Sequence, residues 1–120
     1  MRLYLAGPMS GRPRFNYPEF EKWYVQLATA GFWVESPHHR DDAALREACL
    51  ASVGGDPADL PGFDMVGAVA RNAAGVSRSD GVAVLDGWQR SAGARMEVEV
   101  AHRLNLPVAP AWLWRSHKPT

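Results

Sequence analysis

Short apolar runs of strand length alternate along the chain with longer segments in which apolar residues recur every three or four positions. Runs of the first kind predict β-strands, and the helical spacing of the second kind predicts amphipathic α-helices. The strand-like runs lie at 2–6, 32–35, 81–85 and 107–109, and the helix-like segments lie at 18–31, 65–76 and 94–104. The run at 81–85 is continuously apolar, which is typical of a strand buried on both faces.

The order of these elements is β-α-β-(α)-α-β-α-β, which requires crossover connections between successive strands. We therefore predict an α/β fold: a flavodoxin/Rossmann-like three-layer sandwich with a four- to five-stranded, mostly parallel sheet and helices on both faces. Ligands of such sheets bind beyond the carboxyl ends of the strands. The segments expected to carry the chemistry are therefore 7–16, 36–41, 86–93 and the residues after Val108.

The stretch 38–61 follows neither pattern. Residues 42–50 fit one or two helical turns, and the sequence Gly-Gly-Asp-Pro at 54–57 interrupts any regular element. Seven carboxylates and two arginines lie between Glu35 and Asp64, so the segment is acidic. We expect a solvated surface loop here.

Composition narrows the classes of partner. The 120 residues suit a single domain, 1–120, with a tail from about residue 111. Thirteen basic and thirteen acidic residues give a formal net charge of zero, which argues against a nucleic-acid polymer or a membrane surface as partner. No apolar run is long enough to span a membrane. Cys49 is the only cysteine, so we expect a reducing, cytoplasmic location and a buried thiol.

The five tryptophans fall into three groups. Trp23 lies in a predicted helix and Trp33 in a predicted strand, and we expect both in the core. Trp88 lies in the loop after the buried strand, where its ring could stack on a base or simply pack. Trp112 and Trp114 belong to the tail, which either contacts another subunit or packs back on the sheet.

The loop after the first strand contains Gly7, Ser10 and Gly11, followed by Arg12 and Arg14. Free backbone amides, a hydroxyl and two guanidinium groups can wrap a phosphate or a sugar. The loop has neither the G-x-G-x-x-G nor the G-x-x-x-x-G-K-[ST] spacing, which disfavours a dinucleotide or P-loop site.

A second candidate anion site lies where the helix at 94–104 begins. Ser91 and the amides of Gly93 and Ala94 stand at its amino terminus, where the helix dipole favours negative charge. Glu97 follows one turn later and shares a face with small and apolar residues, whereas Glu99 lies on the opposite side. Glu97 is either a functional carboxylate or an ordinary first-turn glutamate that complements the dipole.

Two other polar features carry weaker signals. The pair His38-His39 follows a strand end, but adjacent residues point in different directions and no third ligand is evident, so we predict no metal site and no cofactor. Asp80 begins the buried strand, where hydrogen bonding to the preceding turn is the favoured role.

Several motifs together resemble the DUF4406 proteins, which are small phage and bacterial relatives of the nucleoside 2-deoxyribosyltransferases and the 2'-deoxynucleoside 5'-monophosphate N-glycosidases. The first half contributes Tyr-Leu-Ala-Gly-Pro-Met-Ser-Gly at 4–11, Asn-Tyr-Pro at 16–18, Phe20, Gly31-Phe32 and Ser36-Pro37. The second half contributes Asp-Gly-Val-Ala-Val-Leu at 80–85, Gly87-Trp88, Ser91, Gly93-Ala94, Glu97 and Ala101. The resemblance covers nearly the whole chain.

The resemblance implies cleavage or transfer of the N-glycosidic bond of a nucleotide or nucleoside, with Glu97 as the nucleophile of a double displacement. A dipole that keeps Glu97 ionised and apolar neighbours that strip its water fit this role. A serine at position 91, where the transferases carry an aspartate, favours a 5'-monophosphate. The implied substrate-binding residues are Tyr4, Gly7, Pro8, Met9, Ser10, Gly11, Arg12, Asn16, Trp88, Ser91, Gly93 and Ala94. Relatives assemble as homodimers or larger homo-oligomers.

One position departs from the family pattern. Relatives carry an Arg-Asp pair on the third helix, but here the pair is Arg71-Asn72, and asparagine cannot exchange a proton at neutral pH. Another acid substitutes, with Asp64, Asp80 and Asp86 as candidates, or the enzyme is slow, or the protein only binds. The alternative hypothesis is therefore a non-catalytic nucleotide-binding or nucleotide-sensing module on the same scaffold.

Overall fold

A computed structural model describes residues 1–117, which form an α/β fold of four parallel strands and five α-helices. The strands are β1 (Arg2–Ala6), β2 (Trp33–Glu35), β3 (Gly81–Val84) and β4 (Val108–Pro110). The helices are α1 (Tyr17–Thr29), α2 (Ala43–Ala51), α3 (Met65–Ser77), α4 (Ala92–Arg103) and α5 (Ala111–Ser116). The predicted fold class and the four predicted strands are confirmed.

The strand order is β2-β1-β3-β4, so the two most apolar strands occupy the centre of the sheet. All four residues of β3 are buried, as are the last four of β1. The chain leaves β1 towards β2 on one side and later returns to β3 on the other. The loops after β1 and β3 therefore diverge, and sheets of this order bind ligands in the crevice that such a divergence opens.

Helices cover both faces of the sheet and make it the middle of three layers. On one face α1 and α5 pack against side chains that alternate along β1 and β3, with Phe20 and Leu27 fully buried. On the other face α3 and α4 contribute Val76, Val98 and Ala101 to a second cluster. None of the helices formed by residues 1–117 is long and apolar enough to cross a membrane.

The acidic segment 38–61 is not a solvated loop, and that prediction is wrong. It contains α2, which confirms the helical turns predicted at 42–50 and whose first turn is capped by the Asp42 carboxylate accepting from the Leu45 N–H. Cys49 and Leu60 are buried with Phe15 and Tyr17 in a third small core beside the sheet. Four of the five carboxylates in this segment are exposed and Asp41 is half-buried, while the apolar residues pack against Phe15 of the 3₁₀ turn Pro13–Asn16.

The tryptophans do not all behave as predicted. Trp33 is 72% exposed, because it begins the edge strand β2, and its assignment to the core is wrong. Trp23 packs against the core from α1, as expected. The tail packs back on the sheet: the Trp114 indole N–H donates to the Val82 carbonyl at 2.9 Å, while Trp112 stays half exposed. The rest of the tail, 118–120, lies outside the described residues.

Candidate active site

A cavity of about 510 Å³ lies at the carboxyl ends of β1 and β3, at the crevice that the strand order predicts. The loop after β1 and the start of α4 form its floor, and α3 forms one side. The opposite wall is apolar and comes from the segment 38–63, through side chains such as Leu45, Leu60 and Phe63. The segment predicted to be a loop therefore forms one wall of the cavity.

Glu97 is the buried acid of this cavity. It is only 4% exposed, and it lies on the face of α4 whose other members, Ala94, Val98 and Ala101, pack on the sheet. The Tyr4 hydroxyl donates to Glu97 Oε2 at 2.7 Å from the middle of β1. The helical spacing thus predicted the orientation of Glu97 correctly, and its pairing with Tyr4 makes it more than a surface dipole partner.

Burial raises the pKa of Glu97 from 4.5 to about 7, because the ionised carboxylate loses its water. The Tyr4 hydroxyl and the positive charge of Arg40 act in the opposite direction and lower that pKa. Burial, together with the neighbouring Glu97 carboxylate, holds the pKa of the Tyr4 hydroxyl well above its usual value of 10, so Tyr4 remains a donor. Glu97 is consequently a carboxyl that changes protonation near neutral pH.

The start of α4 presents an anion-binding arrangement to the cavity. Ser91 Oγ accepts from the Ala94 N–H at 3.2 Å and so caps the helix. Ser91, Gly93 and Ala94 all line the cavity, and Arg90 stands beside them. Apart from its chain neighbours and its own helix backbone, the nearest atom to a methyl group added at Gly93 would be Ser91 Oγ at 4.0 Å, so a ligand can approach its backbone closely.

Some residues of the loop after β1 line the cavity, and others contact the surrounding structure instead. Gly7, Met9 and Ser10 line the cavity. A methyl group on Gly7 would lie 2.8 Å from Leu85 Cβ. Only glycine therefore allows the residues that follow β1 and β3 to lie this close together. The cavity lining does not include Pro8, Gly11, Arg12 or Asn16.

Arg12 and Gly11 have other contacts. The Arg12 guanidinium lies over Gly87, where an added methyl group would come within 2.2 Å of it. The Gly11 N–H donates to the Gly55 carbonyl at 2.8 Å, which ties this loop to the layer around α2. These contacts hold the loop in place from behind the cavity.

Of the remaining predicted site residues, one lines the cavity and the others have contacts elsewhere. Asn72 lines the cavity from α3. The Asp80 carboxylate instead accepts from the Arg2 N–H at 2.7 Å, and it does not line the cavity. Asp64 caps α3 through the Gly67 N–H at 2.9 Å, and Trp88 packs against the core under α3 and α4. Trp88 therefore takes the packing alternative.

Sequence reasoning missed two charged residues that line the cavity, Arg40 and Asp41. Arg40 lies 5.8 Å from the Tyr4 ring and donates to the Arg71 carbonyl at 2.8 Å. Asp41 accepts from the Tyr17 hydroxyl, and burial raises its pKa from 3.8 to about 6 against the opposing charges of Arg46 and Arg71. The sequence did contain a signal for these two residues, because the segment 36–41 follows the end of a strand, where ligands of such sheets bind.

Cys49 also lines the cavity, at its apolar wall. Its side chain is buried, as predicted, and burial raises the pKa of the thiol to about 11. The sulfur is therefore protonated at neutral pH and is a packing group rather than a nucleophile.

The side chains of His38 and His39 come together, so the prediction that these adjacent residues point in different directions is wrong. They lie on the 3₁₀ turn Pro37–His39, where successive side chains are about 120° apart. Their ring centroids are 4.0 Å apart, and both Nε2 atoms contact Glu21 Oε2 from α1, at 2.8 Å and 3.0 Å. A third ligating side chain is thus present, from a helix that local sequence could not associate with this turn.

The chain matches the family described as "Domain of unknown function (DUF4406)" over residues 1–110. No curated protein and no solved structure matches it. The matched range includes all four strands, the loop after β1, the start of α4 and Glu97. The protein therefore belongs to the DUF4406 family.

Proposed function

We propose that the protein cleaves or transfers the N-glycosidic bond of a deoxynucleoside 5'-monophosphate or nucleoside, with Glu97 as the nucleophile. One observation carries the proposal: a single buried carboxyl, held by the Tyr4 hydroxyl at 2.7 Å, lines a cavity of nucleotide size. The resemblance of the motif around Glu97 to that of the deoxyribosyltransferases supplies the chemistry.

The proposed reaction has two displacements at one carbon. A Glu97 oxygen forms a bond to the anomeric carbon, the glycosidic bond breaks, and the base leaves with the electron pair and takes up a proton. Water, or a second base, then attacks the same carbon and releases Glu97 as a carboxylate. Two inversions return the original configuration. Tyr4 holds one oxygen of Glu97 by its hydrogen bond and leaves the other free to attack.

The proton for the leaving base must come from a group other than Asn72. Among the carboxyls of residues 1–117, only Asp41 and Glu97 line the cavity. Because the pKa of Asp41 is about 6 and that of Glu97 about 7, the form with protonated Asp41 and ionised Glu97 is a minor species that is most populated between these pH values. We assign Asp41 as the donor. Asp64 and Asp80 are engaged elsewhere by backbone N–H groups, and neither they nor Asp86 line the cavity.

A 5'-phosphate fits the start of α4. The Ala92 and Gly93 amides of the first turn, the Ser91 hydroxyl and the Arg90 guanidinium belong to residues that line the cavity, while the Ala94 N–H is already bonded to Ser91 Oγ. A serine at this position leaves the site without the negative charge that an aspartate would place there. A monophosphate is therefore the preferred substrate over the free nucleoside.

The test is incubation with a panel of deoxynucleosides and their 5'-monophosphates, with free base measured by chromatography. Glu97→Gln should reduce base release by about three orders of magnitude or more, since the covalent step is lost. Glu99→Gln is the matched control, because Glu99 lies on the exposed side of the same helix and pairs with Arg103 at 3.0 Å. Unchanged base release by the Glu97→Gln protein would refute the mechanism.

The role of Asp41 has its own control in the neighbouring residue. Asp41→Asn should slow base release by about 10²- to 10⁴-fold through kcat, because it removes the proton donor. Asp42→Asn should have little effect, since asparagine also caps a helix and Asp42 serves only to cap α2. Equal losses in the two variants would contradict the assignment.

A second candidate is a nucleotide-binding module without turnover, and Asn72 is the observation that favours it. This hypothesis predicts saturable binding of a deoxynucleotide, seen as an increase in thermal stability, with no release of base. An Asn72→Asp protein that gains turnover would identify a lapsed enzyme. Measurable turnover in the unchanged protein would exclude the binding-only hypothesis.

Homo-oligomerisation belongs to the same proposal. The first two turns of α3 leave Met65, Val66 and Val69 exposed, and Met65 and Val69 also line the cavity. A second copy that covered these side chains would close the cavity to water. Sedimentation analysis of the protein and of a Val66→Lys variant tests this: the variant should shift to smaller species.

A further inference from the structure

Three metal-ligating side chains converge outside the cavity, and the proposed reaction uses none of them. Glu21 comes from α1, and His38 and His39 come from the turn that follows β2. One ligand atom from each residue lies within 4.8 Å of the other two. The closest contacts are those of Glu21 Oε2 with the two Nε2 atoms, at 2.8 Å and 3.0 Å.

The buried histidine of the three is held in a fixed orientation. The His38 side chain is 4% exposed, and its ring packs edge-on against Tyr17 and beside Phe20. Its Nδ1 is hydrogen-bonded to the Ser36 hydroxyl. A ligand histidine needs such a partner on its second nitrogen, because that hydrogen bond fixes the tautomer and the direction of the first.

The other two ligands are accessible from solvent. His39 and Glu21 have side chains that are 36% and 53% exposed, and the Tyr24 ring supports His39 edge-on with centroids 4.2 Å apart. An ion can therefore enter from solvent without disturbing the core. The buried His38 and the exposed pair together form a site with a closed side and an open side.

We propose that Glu21, His38 and His39 bind one Zn²⁺ ion, with a water molecule in the fourth position. Two imidazoles and one carboxylate are a donor set that Zn²⁺ favours, at about 2.0–2.2 Å from each ligand atom. Tetrahedral ligands at that distance lie roughly 3.3 Å apart. The present contacts of 2.8 Å and 3.0 Å need to lengthen by a few tenths of an ångström, and the two histidine ligand atoms, now within 4.8 Å of each other, must come to the same separation.

The hydrogen bond between His38 and Ser36 suits a metal-bound ring. When the ion binds, His38 Nδ1–H donates to Ser36 Oγ, and the Nε2 lone pair is then free for the metal.

The ion would fasten α1 to the segment that leads directly into Arg40 and Asp41. Because those two residues line the cavity, the metal would order one wall of the cavity without taking part in its chemistry. The inference does not depend on the proposed N-glycosidic reaction, since it concerns binding alone.

Isothermal titration of ZnCl₂ into the untagged, metal-free protein tests the proposal, with Co²⁺ absorption as a report on geometry. We expect one equivalent bound with a Kd in the micromolar range or below, and an intense tetrahedral Co²⁺ spectrum that Zn²⁺ abolishes. His39→Gln and Glu21→Gln should each weaken binding at least tenfold. His102→Gln is the matched control, because His102 is exposed on α4 and far from the three ligands in sequence.

The site variants change exposed residues, so thermal unfolding without metal should show that each remains folded. Zn²⁺ should then raise the unfolding temperature of the unchanged protein and of the His102→Gln control but not of the site variants. No binding below about 100 μM, or equal loss of binding in the control and the site variants, would overturn the proposal.

Discussion

Replacing Glu97 by glutamine should stabilise the fold at alkaline pH, because the ionised carboxylate opposes folding when it is buried. Burial raises the pKa of Glu97 from 4.5 to about 7, so the folded protein retains a proton that the unfolded chain releases. The contribution of this group to stability is therefore fully present below pH 4.5 and is lost as the pH rises through about 7. Glutamine removes the charge and keeps an oxygen that accepts from the Tyr4 hydroxyl.

The size of the effect follows from the two pKa values. Ionisation of Glu97 removes roughly 3 kcal/mol from the free energy of unfolding at pH 8 but less than about 1 kcal/mol at pH 5. The difference in stability between Glu97→Gln and the unchanged protein should therefore grow by roughly 2–3 kcal/mol between these pH values. In thermal unfolding this corresponds to roughly 10 °C.

Urea unfolding followed by tryptophan fluorescence at pH 5, 6.5 and 8 measures this difference directly. Other groups titrate in the same range, but they are common to both proteins and cancel in the comparison. Glu99→Gln provides the control, because Glu99 is an exposed glutamate on the same helix. A stability difference for Glu97→Gln that stays constant from pH 5 to 8 would refute the argument from burial.

Further substitutions test other contacts of the same structure. Tyr4→Phe removes a hydrogen bond that favours the ionised form of Glu97, so the rising limb of a pH–activity profile should move to higher pH. Gly7→Ala introduces a methyl group 2.8 Å from a buried leucine and should cost roughly 1–3 kcal/mol in urea unfolding. Trp33→Ala should change the unfolding free energy by less than about 0.5 kcal/mol. Trp114→Ala should cost about 3 kcal/mol by the same measurement.

The fold was predictable because its information is local and periodic. Each strand and each helix at 18–31, 65–76 and 94–104 carries its own pattern, and alternation of the two kinds of element admits few arrangements beyond a parallel sheet. The orientation of Glu97 followed from the same periodicity. The prediction that Trp33 lies in the core was wrong because the spacing of apolar residues along a strand does not show whether that strand is central or at the edge of the sheet.

The site was less predictable because half of its wall comes from non-local contacts. The segment 38–61 has no strong period, and its burial depends on Cys49 and Leu60 meeting Phe15 and Tyr17 from an earlier loop. Asp41 is remote in sequence from Glu97, and only the folded chain shows that both line one cavity. The cluster of Glu21, His38 and His39 has the same origin, since it forms only when α1 packs beside the end of β2.

Two opposing effects act on Glu97, and their magnitudes decide its state. A carboxylate in the first turns of a helix gains about 0.3–1 kcal/mol from the helix dipole, which favours ionisation. Burial that raises a pKa from 4.5 to about 7 corresponds to roughly 3 kcal/mol in the other direction. Burial is the larger effect, so Glu97 is not held fully ionised by its helix.

That balance changes when positive charge develops at the anomeric carbon, as the proposed reaction requires. A buried carboxylate with little water around it interacts with a nearby cation far more strongly than it would in solvent. Such a charge therefore stabilises the ionised form of Glu97, which is the form that attacks. The burial that weakens the fold at alkaline pH would thus strengthen the interaction on which the reaction depends.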